Sequence, residues 1–293
     1  MNNITKAAFW MSGSIASFSS MAVAGREIGN AVNDSLDTFE IMMFRSLVGV
    51  LIICGIAGAT GAWQRITTKR LKTHFIRNLA HFTGQNLWFY AVTVIPLAQV
   101  FALEFTSPIW VIVLSPLLLG ERITHARVIA AALGFVGILI IARPNMTGMS
   151  PGVMTAAASA IFFALTNILT KRLTRYEDVI SILFWLTTMQ LVMGTMMAGY
   201  DGEIALPTAT TLPWVILIGV AGVIAHYSLT SALAIAPATV VVPIDFIRLP
   251  TIAVIAMLVY GELIDVWVFI GAVLIFAGNY FNIWVETKSS VRN

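Results

Sequence analysis

Five formal charges fall inside stretches that are otherwise apolar: Glu40, Arg45, Glu104, Asp245 and Arg248. Asp245 and Arg248 stand three residues apart, on one face of a helix, a spacing that suits a local ion pair and equally a cavity wall shared with Glu104. Arg45 has no acid one turn away on its own helix. Its partner has to come from another helix, from backbone or from a bound solute. A guanidinium fork matches a carboxylate in shape and charge, which favours an amino acid or a related anion-bearing metabolite. His81, Gln85 and Trp88 recur at i, i+4 and i+7, giving a helix one polar and aromatic stripe, and His226 with Tyr227 marks a second helix. Such stripes either join helices by hydrogen bonds or line a pocket in which Trp88 stacks on a planar or cationic group. The candidate substrate-binding residues are therefore Arg45, His81, Gln85, Trp88, Glu104, His226, Tyr227, Asp245 and Arg248. Asn167, Gln190 and Asn279 are weaker candidates, Trp10, Trp110 and Trp185 read as packing or interface anchors, and Glu40 reads equally well as a solvated helix end.

The elements that must position these groups follow from composition. Of 293 residues, 58% are hydrophobic and only 11% charged, against about 25% charged in soluble domains. That balance excludes a water-soluble globule and a disordered chain. A single cysteine, Cys54, excludes a disulfide framework. Apolar runs of about 20 residues indicate membrane-spanning helices and not barrel strands. Ten such spans fall near 7–25, 37–58, 75–94, 97–119, 126–142, 152–170, 179–199, 213–235, 239–260 and 266–285. The first carries serines at 12, 14, 17, 19 and 20 and has a signal peptide as its alternative, but no compact apolar core and cleavage site follow a basic start, so it is retained as a helix. The expectation is an all-α polytopic membrane protein. Each of the five embedded charges costs about 2.5–3.5 kcal/mol at the bilayer centre, so they must face the bundle interior or a wet cavity.

Orientation follows from Lys and Arg. With a cytoplasmic N-terminus, Lys6, Arg65, Lys69, Arg70, Lys72, Arg77, Arg122, Arg127, Lys171, Arg172, Arg175, Lys288 and Arg292 lie inside, and only Arg26 and Arg143 lie outside. That bias places both termini in the cytoplasm. The small basic excess reads as topology, with no nucleic acid as partner.

An offset of 141 residues aligns the segment from Pro96 to Gly120-Glu121 with the segment from Pro237 to Gly261-Glu262. Glu104 then matches Asp245, Phe105 matches Phe246 and Gly137 matches Gly278. Two five-span halves, 7–142 and 150–285, follow. Five is odd, so the second half enters the membrane from the opposite side, and the repeat is inverted. Inverted repeats are frequent in secondary transporters, with the site near the midplane between the halves. Pro108, Pro116, Pro243 and Pro250 predict kinks in spans 4 and 9. The small residues Gly134, Gly137, Ala130–Ala132 and Ala156–Ala158 predict close helix packing away from the site. No metalloprotease, P-loop or intramembrane-protease motif is present, no filter sequence repeats as a channel would need, and four scattered histidines do not suggest a metal; no cofactor is expected.

Ten spans in two five-helix halves, Gly-Glu after spans 4 and 9, Phe39-Glu40-Ile-Met-Met-Phe44-Arg45 in span 2, Arg77 at the start of span 3 and Ala-Pro-Ala-Thr at 236–239 together resemble the drug/metabolite transporter superfamily, EamA type. The resemblance covers essentially the whole chain. It implies ten transmembrane helices and alternating-access transport of a small metabolite, across the inner membrane in a bacterium. The solutes it implies are amino acids, S-adenosylmethionine, nucleotide-like metabolites, riboflavin or carboxylates. Phe39-Glu40 to Phe44-Arg45 and the features of span 3 lean toward the S-adenosylmethionine-uptake-like branch. With the arginine argument, a carboxylate-bearing solute is the first expectation and a nucleoside-like or flavin metabolite the alternative; monomer and homodimer remain equally open.

Overall fold

A computed structural model describes residues 3–31, 36–119, 125–142, 150–235, 241, 244–263 and 265–290. Runs of Leu, Ile, Val, Ala, Met and Phe propagate as helix because hydrocarbon offers the backbone no other hydrogen-bond partner. In chain order the helices are α1 (Asn3–Asn30), α2 (Thr38–Thr60), α3 (Leu71–Val94), α4 (Leu97–Glu104), α5 (Ser107–Leu119), α6 (His125–Ala142), α7 (Pro151–Leu173), α8 (Val179–Ala198), α9 (Leu212–Ile235), α10 (Arg248–Tyr260) and α11 (Val266–Ser290). The described residues contain no strand. Thr5–Asn30, α2, α7, α8 and Leu212–Ala232 are each long and apolar enough to cross a bilayer. The serine-rich first span is a continuous helix.

Helix starts are set by side-chain caps. Asp37 accepts from the Glu40 backbone N–H at 2.7 Å, and Glu40 Oε2 accepts from the Asp37 N–H at 2.9 Å, a reciprocal box that opens α2. Glu40 Oε1 also accepts from the Ala205 N–H, so this residue ties the α8–α9 connection to the helix end. Asp178 opens α8 by accepting from the Ile180 N–H at 2.9 Å. Ser150 opens α7 with Pro151 at its first position, where a missing N–H costs nothing.

Spans 4 and 9 differ from the kinked helices the prolines predict. Span 4 is divided at Phe105–Thr106 into α4 and α5, and α10 starts after turn residues Phe246 and Ile247. Proline disfavours helical geometry in the residue before it and is tolerated in a first turn, where no N–H is needed. Pro108 is accordingly the second residue of α5 and Pro250 the third of α10. Pro96 occupies the tight connection between α3 and α4; Pro237, Pro243 and Gly120-Glu121 lie outside the described residues. Asn279 on α11 donates to the carbonyl of Phe105 at 3.3 Å, supplying a partner where the ladder stops.

The repeat is visible in the element boundaries. Helices α2 and α8 begin at 38 and 179, α3 and α9 at 71 and 212, α5 and α10 at 107 and 248, and α6 and α11 at 125 and 266, each pair 141 apart. The halves interleave. Helix α1 packs on α9 and α3 on α7, contacts that the repeat exchanges, while α2 packs on α8 and α6 on α11. At the α6–α11 seam a Cβ on Gly137 would lie 2.8 Å from the Gly271 carbonyl oxygen, and one on Gly278 would lie 2.9 Å from that of Ala130. Backbones this close admit only hydrogen. Gly137→Leu should therefore lower stability by about 1–3 kcal/mol through overpacking, read as the midpoint of thermal unfolding in detergent. Gly55→Ala, whose added Cβ meets nothing within 4 Å, is the control and should not lower the midpoint.

Candidate substrate-binding site

Arg45 sits on α2, facing α8 and α9, and is 5% exposed. Its Nη1 donates to Gln190 Oε1 at 3.1 Å and approaches the Met42 sulfur at 3.9 Å. Gly222 on α9 makes room for it, since a Cβ there would lie 2.9 Å from Nε. Arg45, Ser46, Thr187, Gln190, Gly222 and His226 are among the residues that line a cleft between these three helices. His226 meets His81 of α3 edge to face, with ring centroids 4.8 Å apart. The ring of Phe18 packs on His226 at 5.5 Å and that of Phe163 on His81 at 6.0 Å.

Polar atoms in this group lack hydrogen-bond partners among the described residues: Arg45 Nε, Gln190 Nε2, His226 Nε2 and both ring nitrogens of His81. A buried donor or acceptor left unmade costs about 1–3 kcal/mol. Unmade bonds converging from four helices suit a polar ligand better than they suit packing. Arg45 and Gln190 present donors, and each imidazole presents a donor or an acceptor according to its tautomer.

A second charged group lies across the ring of Phe18. Arg248 Nη2 donates to Glu104 Oε1 at 2.8 Å and to Asp245 Oδ2 at 3.0 Å. Trp88 Nε1 donates to Glu104 Oε2 at 2.8 Å. The guanidinium carbon stands 4.9 Å from the ring centroid of Phe18, 5.2 Å from Phe101 and 5.1 Å from Phe105. Glu104 ends α4 and Arg248 begins α10, so this node joins the two helix breaks. The repeat mates Phe105 and Phe246 touch beside it at 5.4 Å.

Each face of the bundle holds a bonded carboxylate among the described residues, Glu262 on one and Glu177 on the other. On the face away from the termini, Arg26 Nη1 donates to Glu262 Oε1 at 2.7 Å, and its other nitrogens donate to the carbonyls of Val92 and Ile95. Glu262 Oε2 accepts from the Leu97 N–H at 2.9 Å and so caps α4. On the terminal face, Glu177 accepts from Ser181 at 2.9 Å and Thr67 at 3.1 Å, and its Oε2 lies 2.8 Å from His74 Nε2. Burial pushes the Glu177 carboxyl up, but the bonds from His74, Ser181 and Thr67 outweigh it and hold the group below the ordinary carboxylate range.

The structure thus gathers Arg45, His81 and His226 into one group and Trp88, Glu104, Asp245 and Arg248 into another. Gln85 is buried on α3, one turn beyond His81. Tyr227 departs from the expected site: one residue on from His226 turns it about 100° around the helix, and it is 41% exposed against Trp10. Trp88 departs from its expected role as an open stacking platform, because it is buried against Phe89 and Phe101 with its N–H committed to Glu104. Asn167 is exposed. Gln190, a weaker candidate in the sequence, is the direct partner of Arg45. Arg77, counted in the sequence as a surface charge, is 3% exposed; its place one turn before His81 was the available signal.

The pattern of the EamA-like transporter family matches residues 5–143 and 150–284. An S-adenosylmethionine uptake transporter from Rickettsia felis is 25% identical over 97% of this chain and 94% of its own length. A riboflavin transporter from Rhizobium johnstonii is 32% identical over 74% of each chain, and one from Vibrio cholerae is 26% identical over 89% of this chain and 88% of its own. A crystal structure shares the fold with a TM-score of 0.66, covering 97% of this chain and 98% of that one at 19% identity.

Two predictions follow from these networks. Arg248→Met leaves Glu104 and Asp245 without their cation and should cost about 3–5 kcal/mol; adding Glu104→Gln and Asp245→Asn should restore most of the unfolding midpoint. Because the Glu177 pKa is lowered on folding, its stabilisation is complete above the ordinary carboxylate range and disappears as pH falls through the lowered value. Glu177→Gln should therefore flatten the acid limb of a stability-against-pH curve and leave the alkaline limb unchanged.

Proposed function

Since the chain belongs to the EamA-like transporter family, we propose that it carries a nucleoside-like or flavin-like metabolite across a bacterial inner membrane by alternating access, with both termini in the cytoplasm. The observation that carries this reading is the set of unmade hydrogen bonds around Arg45, Gln190, His81 and His226, buried between α2, α3, α8 and α9. The relatives named as carriers of S-adenosylmethionine and of riboflavin support a heteroaromatic solute over a simple amino acid. A fused ring offers edge acceptors to Arg45 and Gln190 and a face to Phe18 and His226. S-Adenosylmethionine also bears a carboxylate, so the fit of an arginine fork to a carboxylate remains part of the reading.

As it stands the cleft has room for about one water. Loading a metabolite then requires α2 to separate from α8 and α9. The halves 7–142 and 150–285 exchange roles about the helix breaks, and the Arg26–Glu262 closure opens in one state and the Glu177 closure in the other. A facilitated carrier needs no further chemistry.

Counterflow in proteoliposomes tests this. Vesicles loaded with unlabelled S-adenosylmethionine or riboflavin should accumulate the labelled solute saturably. Arg45→Ala should reduce that flux by about 100-fold, the scale of a lost charge-assisted contact, with membrane insertion and unfolding midpoint retained. Undiminished counterflow in Arg45→Ala would remove the cleft from the mechanism, and linear, non-saturating flux would indicate a pore.

A further inference from the structure

Arg77 is the sixth residue after Leu71, about 9 Å along α3 from the terminal face. Its Nε donates to Thr170 Oγ1 at 3.0 Å and its Nη1 to Asn78 Oδ1 at 2.7 Å. Both partners are neutral. Among the described residues, Arg77 and Arg45 are buried arginines without a carboxylate in ion-pair range, whereas Arg26 holds Glu262 and Arg248 holds Glu104 and Asp245. The fold therefore supplies counter-charges to enclosed guanidiniums elsewhere and withholds them at these two. Arg45 and Arg77 lie in each other's field, and His81 and His226 lie in the field of both. The carboxylates of the neighbouring node, Glu104 and Asp245, are already held by Arg248.

An uncompensated buried charge costs several kcal/mol, and two of like sign add repulsion. A purely tethering role, holding α3 to Thr170 of α7, would need a hydrogen-bond donor and no charge. Arg77, His81, Gln85 and Trp88 also follow one another at i, i+4, i+8 and i+11, a continuous file along α3. His81 in that file has both ring nitrogens unpartnered while 3% exposed, which points to a ligand beside it.

We infer that Arg45 and Arg77 form a two-arginine anion subsite, reaching from the cleft toward the terminal face, and that the solute's own anionic group is the missing counter-charge. The inference deepens the carrier reading above and rests on it. The carrier takes a metabolite that bears such an anionic group. A carboxylate and a phosphate share the required chemistry, and Arg77 sets the requirement for either.

The test compares pairs of probes that differ in the anionic group, binding to the purified full chain and to its Arg77→Gln and Arg77→Lys variants. S-Adenosylmethionine against its decarboxylated form reports a carboxylate, and riboflavin 5′-phosphate against riboflavin reports a phosphate. Indole-3-acetate against indole-3-acetamide poses the same question without a nucleoside or flavin. The carboxylate- or phosphate-bearing member of at least one pair should bind about 10-fold to 100-fold more tightly, the range of one charge-assisted hydrogen bond. Arg77→Gln should remove most of that preference and leave the affinity for the member without the anionic group unchanged, and Arg77→Lys should keep part of it. Equal affinity within all three pairs, or an equal loss on both members in Arg77→Gln, would overturn the inference. The wild-type comparison decides alone if Arg77→Gln does not fold. Failure of the nucleoside and flavin pairs to bind at all, with a preference kept for indole-3-acetate, would overturn the proposed solute and uphold the anion subsite.

Discussion

Hydrocarbon does not solvate charge, and this chain places arginines and carboxylates where the surroundings are otherwise apolar. That constraint organises the packing. Arg248 has to reach both Glu104 and Asp245, which come from different halves, so α4 and α10 are drawn together at their breaks. Arg26 at the end of α1 has to reach Glu262 between α10 and α11. Neither demand can be met by two bundles standing side by side. The halves interleave, and the pairings α1 with α9 and α3 with α7 are the two-fold consequence.

The helix breaks follow from the same economy. A long helix through the midplane would leave no free backbone and no junction between short segments. Proline near the start of α5 and of α10 makes a junction cheap at equivalent positions in the two halves. The carbonyl freed at Phe105 finds Asn279, and the hydroxyl of Thr106 turns back to Leu103. Around the junction, Phe105, Phe246 and Phe276 supply apolar contact that does not depend on directional bonds. Such packing suits elements that shift relative to one another, because aromatic edges can slide where hydrogen bonds would have to break.

The chamber divides by charge across Phe18. On one side an arginine with two carboxylates forms a node that is satisfied at most of its atoms and belongs to the architecture. On the other, Arg45, Gln190, His81 and His226 keep unmade bonds, and Arg77 keeps an unmatched charge beside them. The node is not free of unmade bonds, since Asp245 Oδ1 and Arg248 Nε also lack partners among the described residues; what separates the two groups is that Arg248 is ion-paired and Arg45 is not. The relatives' substrates narrow the proposed cargo to ringed metabolites.

Much of this was legible in the chain. Hydropathy gave the spans because a helix needs about 20 apolar residues to cross a bilayer, and the offset of 141 located the repeat because punctuating residues recur in register. The embedded charges and the α3 stripe were likewise readable, since they depend on local spacing alone. Tertiary structure decided the rest. Only the folded chain showed that Trp88 is spent on Glu104 within the first half, that Tyr227 turns outward against Trp10, and that Gln190 of the other half, not an acid, answers Arg45. Arg77 is the clearest case: in sequence it sits among basic residues at a helix start, and its burial exists only because α7 closes over it. Periodicity tells which residues share a face, but which faces meet depends on contacts between segments more than a hundred residues apart.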